Sequence, residues 1–156
     1  MLSIDVSGYG KLEIAYVVFD YNGTIAIDGK LIDGVRAGMD ELSGVLEFHV
    51  ITADTFGLVQ SELEGVKCKL TIIPEKDQAA YKLDYVSKLG LGRSVCVGNG
   101  RNDRKMLKEA LLGVALLQEE GLASETLLAS DLVFRNVMDL FACLKEPKRL
   151  VASLRS

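Results

Sequence analysis

The chain has no tryptophan, one histidine, two prolines and three cysteines in 156 residues. Each shortage excludes something. Cys68, Cys96 and Cys143 are odd in number and widely spaced, so they form neither a disulfide framework nor a zinc site. They read as small buried apolar side chains of a reducing compartment. His49 stands alone and reads as structural. No apolar run approaches the roughly 18 residues that a membrane span needs. The opening Met1-Leu2-Ser3-Ile4-Asp5 lacks the basic start and apolar stretch of a signal peptide. The net charge of −4 lacks the basic excess of a nucleic-acid binder. Repeats, low-complexity tracts and Pro/Ser-rich linkers are missing. What is left is a protein of the cytoplasm without a nucleic-acid or membrane partner, with residues 1–156 expected to form one domain.

Nearly half of the residues are apolar and the mean hydropathy is +0.22. That is rich for a small soluble monomer, and it predicts a buried contact between copies of the chain, a dimer or tetramer. Residues 2–6 and 11–14 read as two short strands around the turn-rich Ser7-Gly8-Tyr9-Gly10, a hairpin. Tyr16-Val17-Val18-Phe19 is a compact apolar run that stops at Asp20. After it, apolar runs at 46–51, 69–73, 94–97, 113–117 and 131–134 read as buried strands. Helical patterns lie between them near 35–43, 56–63, 78–89, 103–111, 123–129 and 136–144. Such alternation implies an α/β fold of three layers, with a mainly parallel, doubly wound sheet covered by helices on both faces. The basic stretch Lys145 to Arg149 reads as the charged face of a C-terminal helix.

In open α/β sheets, ligands gather beyond the carboxyl ends of strands, near the switch in strand order. The residues leaving those ends are Asp20, Thr52 and the loop Gly98-Asn99-Gly100-Arg101-Asn102-Asp103. A carboxylate such as Asp20 can act as a nucleophile and form an acyl phosphate. Gly23 permits a sharp turn whose N–H groups can cradle phosphate. Thr52 adds a hydroxyl before a helix start, where anions are favoured. Lys82 supplies a cation to neutralise phosphate charge. Asp103 and its neighbouring asparagines are hard oxygen ligands suited to Mg²⁺. Any one of these residues has a plainer account: Asp and Gly end strands and open turns routinely. Their order and spacing together carry the signal.

In that order and spacing, the chain resembles the haloacid dehalogenase superfamily over nearly its whole length. Within it, the likeness is to the phosphorylation domain of P-type ATPases. Asp20 to Thr24 matches the Asp-x-x-Gly-Thr motif, Thr52-Ala53-Asp54 is similar to Thr-Gly-Asp, and Gly98 to Asp103 is similar to Gly-Asp-Gly-x-Asn-Asp. The family lysine maps to Lys82, with Lys76 as the weaker alternative. The resemblance implies phosphoryl transfer from a small phosphorylated substrate through an aspartyl-phosphate on Asp20. It implies catalytic roles for Thr52 and Lys82, and phosphate binding by Asn22, Gly23, Thr52, Ala53 and Lys82. It also implies Mg²⁺ held among Asp20, Asn22, Asn99 and Asp103.

Two positions depart from the family pattern. Asn22 stands where many of its phosphatases carry the acid/base Asp, and an amide neither gives nor takes a proton at neutral pH. Asn99 stands where the family usually has an Asp that ligates Mg²⁺. A slow Mg²⁺-dependent phosphohydrolase is therefore one reading, and a non-catalytic phosphate-binding or regulatory module the other. The segments between Asp20 and Thr52 and between Thr52 and Lys82 are too short for a cap domain, so a neighbouring subunit is expected to cover the site. Arg101 and Arg104 are either anion ligands or solvated charges. Asp54 is either a substitute carboxylate or a helix cap.

Overall fold

The computed structural model describes residues 1–54 and 57–156. Thr55, and Phe56 at the start of the helix expected over 56–63, lie outside them. Strands β1 (Leu2–Val6) and β2 (Gly10–Ile14) pair antiparallel as an N-terminal hairpin. β3 (Tyr16–Asp20) leads through a small hairpin of β4 (Ala26–Ile27) and β5 (Lys30–Leu31) to α1 (Val35–Leu42). Then follow β6 (Glu47–Thr52), α2 (Val59–Glu62), β7 (Lys69–Ile72) and α3 (Gln78–Leu89). The rest is β8 (Ser94–Gly98), α4 (Arg104–Glu109), β9 (Leu112–Leu116), α5 (Ser124–Ala129), β10 (Leu132–Phe134), α6 (Val137–Lys145) and α7 (Lys148–Leu154).

Six of the strands form one parallel sheet in the order β10-β9-β8-β3-β6-β7. The chain moves outward from β3 to β6 and β7, then crosses through α3 to β8 on the other side. The order therefore reverses between β3 and β8, and Asp20 ends the strand beside that reversal.

β3 is central because its residues suit burial on both faces. Val17 and Phe19 join the larger core with α1, α6 and α7, while Val18 joins the smaller one with α3 and α4. Phe19 stacks near Phe48 and meets Phe141 at a tilt, ring centres 6.2 and 5.8 Å away. A Phe19→Ala change in such a core costs about 3–5 kcal/mol, which would loosen the strand that carries Asp20. The N-terminal hairpin turns Ile4, Val6, Leu12 and Ile14 into the same core. Its apolar face is therefore spent within the chain.

The buried stripe of α3 runs through Lys82 and Val86 and begins at the lysine; Leu83 is only half-buried. The helix ends at Gly90, whose φ of +125° a side chain would resist. Among the cysteines, Cys96 is buried, whereas Cys68 and Cys143 are half-buried, and all three are free. Among the described residues no helix is long and apolar enough to cross a membrane. Between β3 and β6 and between β6 and β7, the described residues hold no inserted domain over the sheet end.

Candidate active site

Asp20, Thr52 and Gly98 end β3, β6 and β8, three adjacent parallel strands, so their tips lie together. Lys82 reaches them from α3. Its Nζ donates to Asp20 Oδ1 at 2.6 Å and to Asp103 Oδ1 at 2.7 Å. The lysine and Asp103 are wholly buried, and Asp20 is 7 % exposed. Burial works against the Lys82 charge, but Asp103 and Asp20 more than offset it and hold the ammonium charged well above its usual range. Asp103 goes the other way. Burial and the nearby Asp20 push its carboxyl up despite Lys82. Two carboxylates share one cation, so the cluster carries a net charge of about −1. Lys76 is exposed, which leaves Lys82 as the lysine of the site.

The loop after β8 folds back on Asp103, whose Oδ2 accepts N–H bonds from Asn99 (3.1 Å) and Gly100 (2.9 Å). A Cβ on Gly98 would lie 2.4 Å from the Asp103 carboxyl carbon, so only glycine fits there. The loop after β3 holds Asp20 by the Thr24 hydroxyl, 3.2 Å from both Asp20 Oδ2 and Asn99 Oδ1. Gly23 turns with φ +80°, but its N–H donates to Ala26 O at 2.7 Å. The expected phosphate donor is thus used by the turn itself, and the glycine's part is conformational.

A cavity of about 130 Å³ opens in front of Asp20, bordered by Asn22, Thr52, Ala53, Asn99, Gln78 and Asn102 among others. Thr52 Oγ1 accepts the Asp54 N–H at 3.1 Å, which leaves its own proton free to donate. Asn22 Oδ1 is buried with no hydrogen-bond partner among the described residues. Lys82 and Asp103 stand behind Asp20 rather than on the cavity wall. Asn102 and Gln78 join across its rim through their amides at 2.6 Å.

These donors fit a hard divalent cation of modest affinity. Asp20, Asn22 and Asn99 offer side-chain oxygens, the Asn22 oxygen being an orphan that a cation would satisfy. Only two carboxylates converge, and no group of three or more His, Cys, Asp or Glu does so among the described residues. Asp103 is the poorest candidate for direct ligation, since Lys82 and two backbone N–H groups already occupy its oxygens.

The smaller candidates resolve towards structure. Arg101 and Arg104 pair with Glu125 through their Nε atoms, at 2.8 and 3.1 Å. Asp54 accepts the N–H of Val59, the first residue of α2, at 3.2 Å. His49 lies between Tyr85 OH (2.7 Å) and Glu47 Oε1 (2.8 Å), partners distant or unobvious in sequence. Sequence reading missed Gln118. Its Nε2 donates to the carbonyls of Gly23 and Thr24, both at 2.9 Å. A lone amide in a loop gives no signal in the sequence.

No family model matches the chain. An uncharacterized protein of Methanocaldococcus jannaschii is 39 % identical over 61 residues, which are 39 % of this chain and 66 % of that protein. Among solved structures, the 3-deoxy-D-manno-octulosonate 8-phosphate phosphatase of Moraxella catarrhalis superposes with a TM-score of 0.68 at 16 % identity, covering 92 % of this chain and 94 % of that one. That enzyme was solved with magnesium, phosphate and the sugar KDO. A Streptomyces avermitilis protein described as a HAD family hydrolase gives 0.66 at 20 % identity, covering 85 % and 84 %. The fold is that of the haloacid dehalogenase hydrolases. Within this fold, Asp20, Thr52, Lys82 and the loop to Asp103 occupy one end of the sheet.

Proposed function

We propose that the chain is a Mg²⁺-dependent phosphohydrolase or phosphotransferase of haloacid dehalogenase type, acting on a small phosphorylated substrate through an aspartyl-phosphate on Asp20. The observation that carries this reading is the buried Asp20–Lys82–Asp103 cluster, whose Asp20 faces a cavity with an orphan acceptor and a free hydroxyl. Structures sharing the fold include a phosphatase with bound magnesium and phosphate, which supports it.

An Asp20 carboxylate oxygen attacks phosphorus, and the bond from phosphorus to the leaving oxygen breaks. The electron pair stays on that oxygen, which takes its proton from water, because the Asn22 amide has none to give. Thr52 donates its free hydroxyl proton to a phosphoryl oxygen. Lys82 keeps Asp20 oriented and balances its charge from behind. Water then attacks the phosphorus, releasing inorganic phosphate and restoring Asp20. Bound Mg²⁺, held by Asp20, Asn22 and Asn99, would neutralise charge on the transferring group.

Lacking a proton donor at position 22, the enzyme turns over slowly, and in this it is similar to the P-type ATPase phosphorylation domain. A second copy of the chain, as dimer or tetramer, covers the open cavity; light scattering that gives a monomer at micromolar concentration would remove that cover. Incubation with acetyl phosphate and Mg²⁺ is expected to place phosphate on Asp20, read by peptide mass spectrometry. Beryllofluoride, an acyl-phosphate mimic, is expected to raise the Tm of the wild type and not of Asp20→Asn. Equal shifts in both would remove Asp20 from the site. The two asparagines favour a second reading, a phosphate-binding or regulatory module of the same fold. Binding of the mimic without any hydrolysis of an aryl phosphate would select it.

A further inference from the structure

The turn after β9 touches both loops of the candidate site from outside. It is closed by the Gly121 N–H on Gln118 O at 2.9 Å. The Gln118 amide spends both of its protons on the Gly23 and Thr24 carbonyls, each at 2.9 Å. Its oxygen accepts the N–H of Val137, the first residue of α6, at 2.8 Å. From the other end of the turn, the Gly121 carbonyl accepts Asn99 Nδ2 at 3.0 Å. Asn99 Oδ1 in turn shares the single Thr24 hydroxyl proton with Asp20 Oδ2, each 3.2 Å away. A Cβ on Gly23 would lie 2.3 Å from Asn99 Nδ2, so the Asn99 amide is wedged beneath the turn that follows Asp20.

We infer that the Gln118–Gly121 turn is a bracket that fixes the Asp20 loop against the β8 loop, and that Asn99 is one of its arms, a positioning residue. Only an amide can serve at position 99 as the bracket is built. A carboxylate could accept from Thr24, but it has no proton for the Gly121 carbonyl and would set a charged oxygen against a partly negative one. An aspartate there, which metal ligation alone would favour, therefore opens the bracket. The asparagine is a working part of this chain's geometry, and its cost to metal affinity is secondary. The catalytic consequence rests on the function proposed above; the structural consequence does not.

The test compares wild type, Asn99→Asp and Gln118→Ala by amide hydrogen exchange, Mn²⁺ titration and beryllofluoride binding. Both variants are expected to exchange faster over residues 22–26, by about tenfold in Asn99→Asp, the scale of one lost buried hydrogen bond, and by more in Gln118→Ala, which loses the bonds to both Gly23 and Thr24. Exchange in β9 is expected to stay as in wild type. Mn²⁺ affinity in Asn99→Asp, followed by electron paramagnetic resonance, is expected to stay near the wild-type value despite the added charge. Beryllofluoride affinity in Gln118→Ala, measured with Mg²⁺ well below its Tm, is expected to fall by about tenfold, an effect of misplacement that a purely structural role would not produce.

Unchanged exchange over residues 22–26 in both variants overturns the bracket. So does a rise of about tenfold or more in Mn²⁺ affinity, the gain that a new charged ligand alone would bring. Should Asn99→Asp fail to fold, exchange in Gln118→Ala decides alone. A wild type that never binds the mimic would sink the proposed function while leaving the exchange result to judge the bracket.

Discussion

Helix α3 reaches into the sheet at two places, one turn apart, and builds a buried polar network at each. At Lys82 it joins Asp20 and Asp103; at Tyr85 it joins His49, whose other nitrogen meets Glu47 and, beyond it, Lys69. Both lysine and histidine are buried, at 0 % and 2 % exposure. Burial and hydrogen bonding therefore do not separate a site from a strut. The difference lies in balance. The His49 network ends in an exposed ion pair and asks nothing of a ligand. The Lys82 network leaves two acids sharing one base, beside a cavity where the Asn22 oxygen has no partner. An imbalance of charge and an orphaned acceptor are what a bound phosphate and cation would complete.

The comparison can be broken most severely at Lys82. Lys82→Met is expected to destabilise the fold by about 3–5 kcal/mol in chemical denaturation, because two buried carboxylates lose their cation. Millimolar Mg²⁺ is expected to return part of that loss, and an absence of any Mg²⁺ response would contradict a cation site at Asp20. Asn22→Asp sharpens the contrast in the opposite direction. It supplies the missing acid/base and is expected to speed hydrolysis of an aryl phosphate, approaching about 10²-fold.

Smaller effects are expected in the other network. His49→Phe leaves Tyr85 without its partner and is expected to cost about 1–2 kcal/mol. Burial, only partly countered by Glu47, lowers the His49 pKa from the ordinary value of 6.5, and Lys69 adds to the lowering. The folded chain thus prefers neutral His49. As pH falls below about 6.5, the unfolded chain takes up a proton that the folded one resists, so stability declines. A Tm profile from pH 7.5 to 5 is expected to be steeper in wild type than in His49→Phe. Lys69→Ala, at the exposed end, is expected to leave Tm within error of wild type.

Much of this was legible in the sequence, for particular reasons. Strands β3, β6 and β8 are short apolar runs that stop at polar residues, so both the sheet and the end where those residues gather could be read. The span of α3 is the predicted one. Lys82, preferred to Lys76 by the resemblance, lies on that helix and is buried, whereas Lys76 precedes it and is exposed. The β4–β5 hairpin was missed because two-residue strands have no period to detect. Tyr85, 36 residues from His49, could not be paired with it by any local pattern. The donor role expected of the Gly23 N–H failed because the Ala26 carbonyl competes for it, a matter of turn geometry alone. Apolar richness suggested a subunit contact, yet the hairpin's share of it closes this chain's own core.

The crossing from β7 to β8 also has a temporal side. Asp20 and Thr52 lie on strands that can pair early, within one half of the sheet. Lys82 meets Asp20 from 62 residues along the chain, on the very helix that carries the backbone to the other half. Pairings of such separation slow folding, because the loop must close before the contact rewards it. Asp20 is therefore expected to gain its counter-ion only once α3 has packed on the sheet. The capacity to bind an acyl-phosphate mimic should then return in refolding no sooner than the last tyrosine fluorescence phase, and the ligand itself becomes a clock for completion of the sheet.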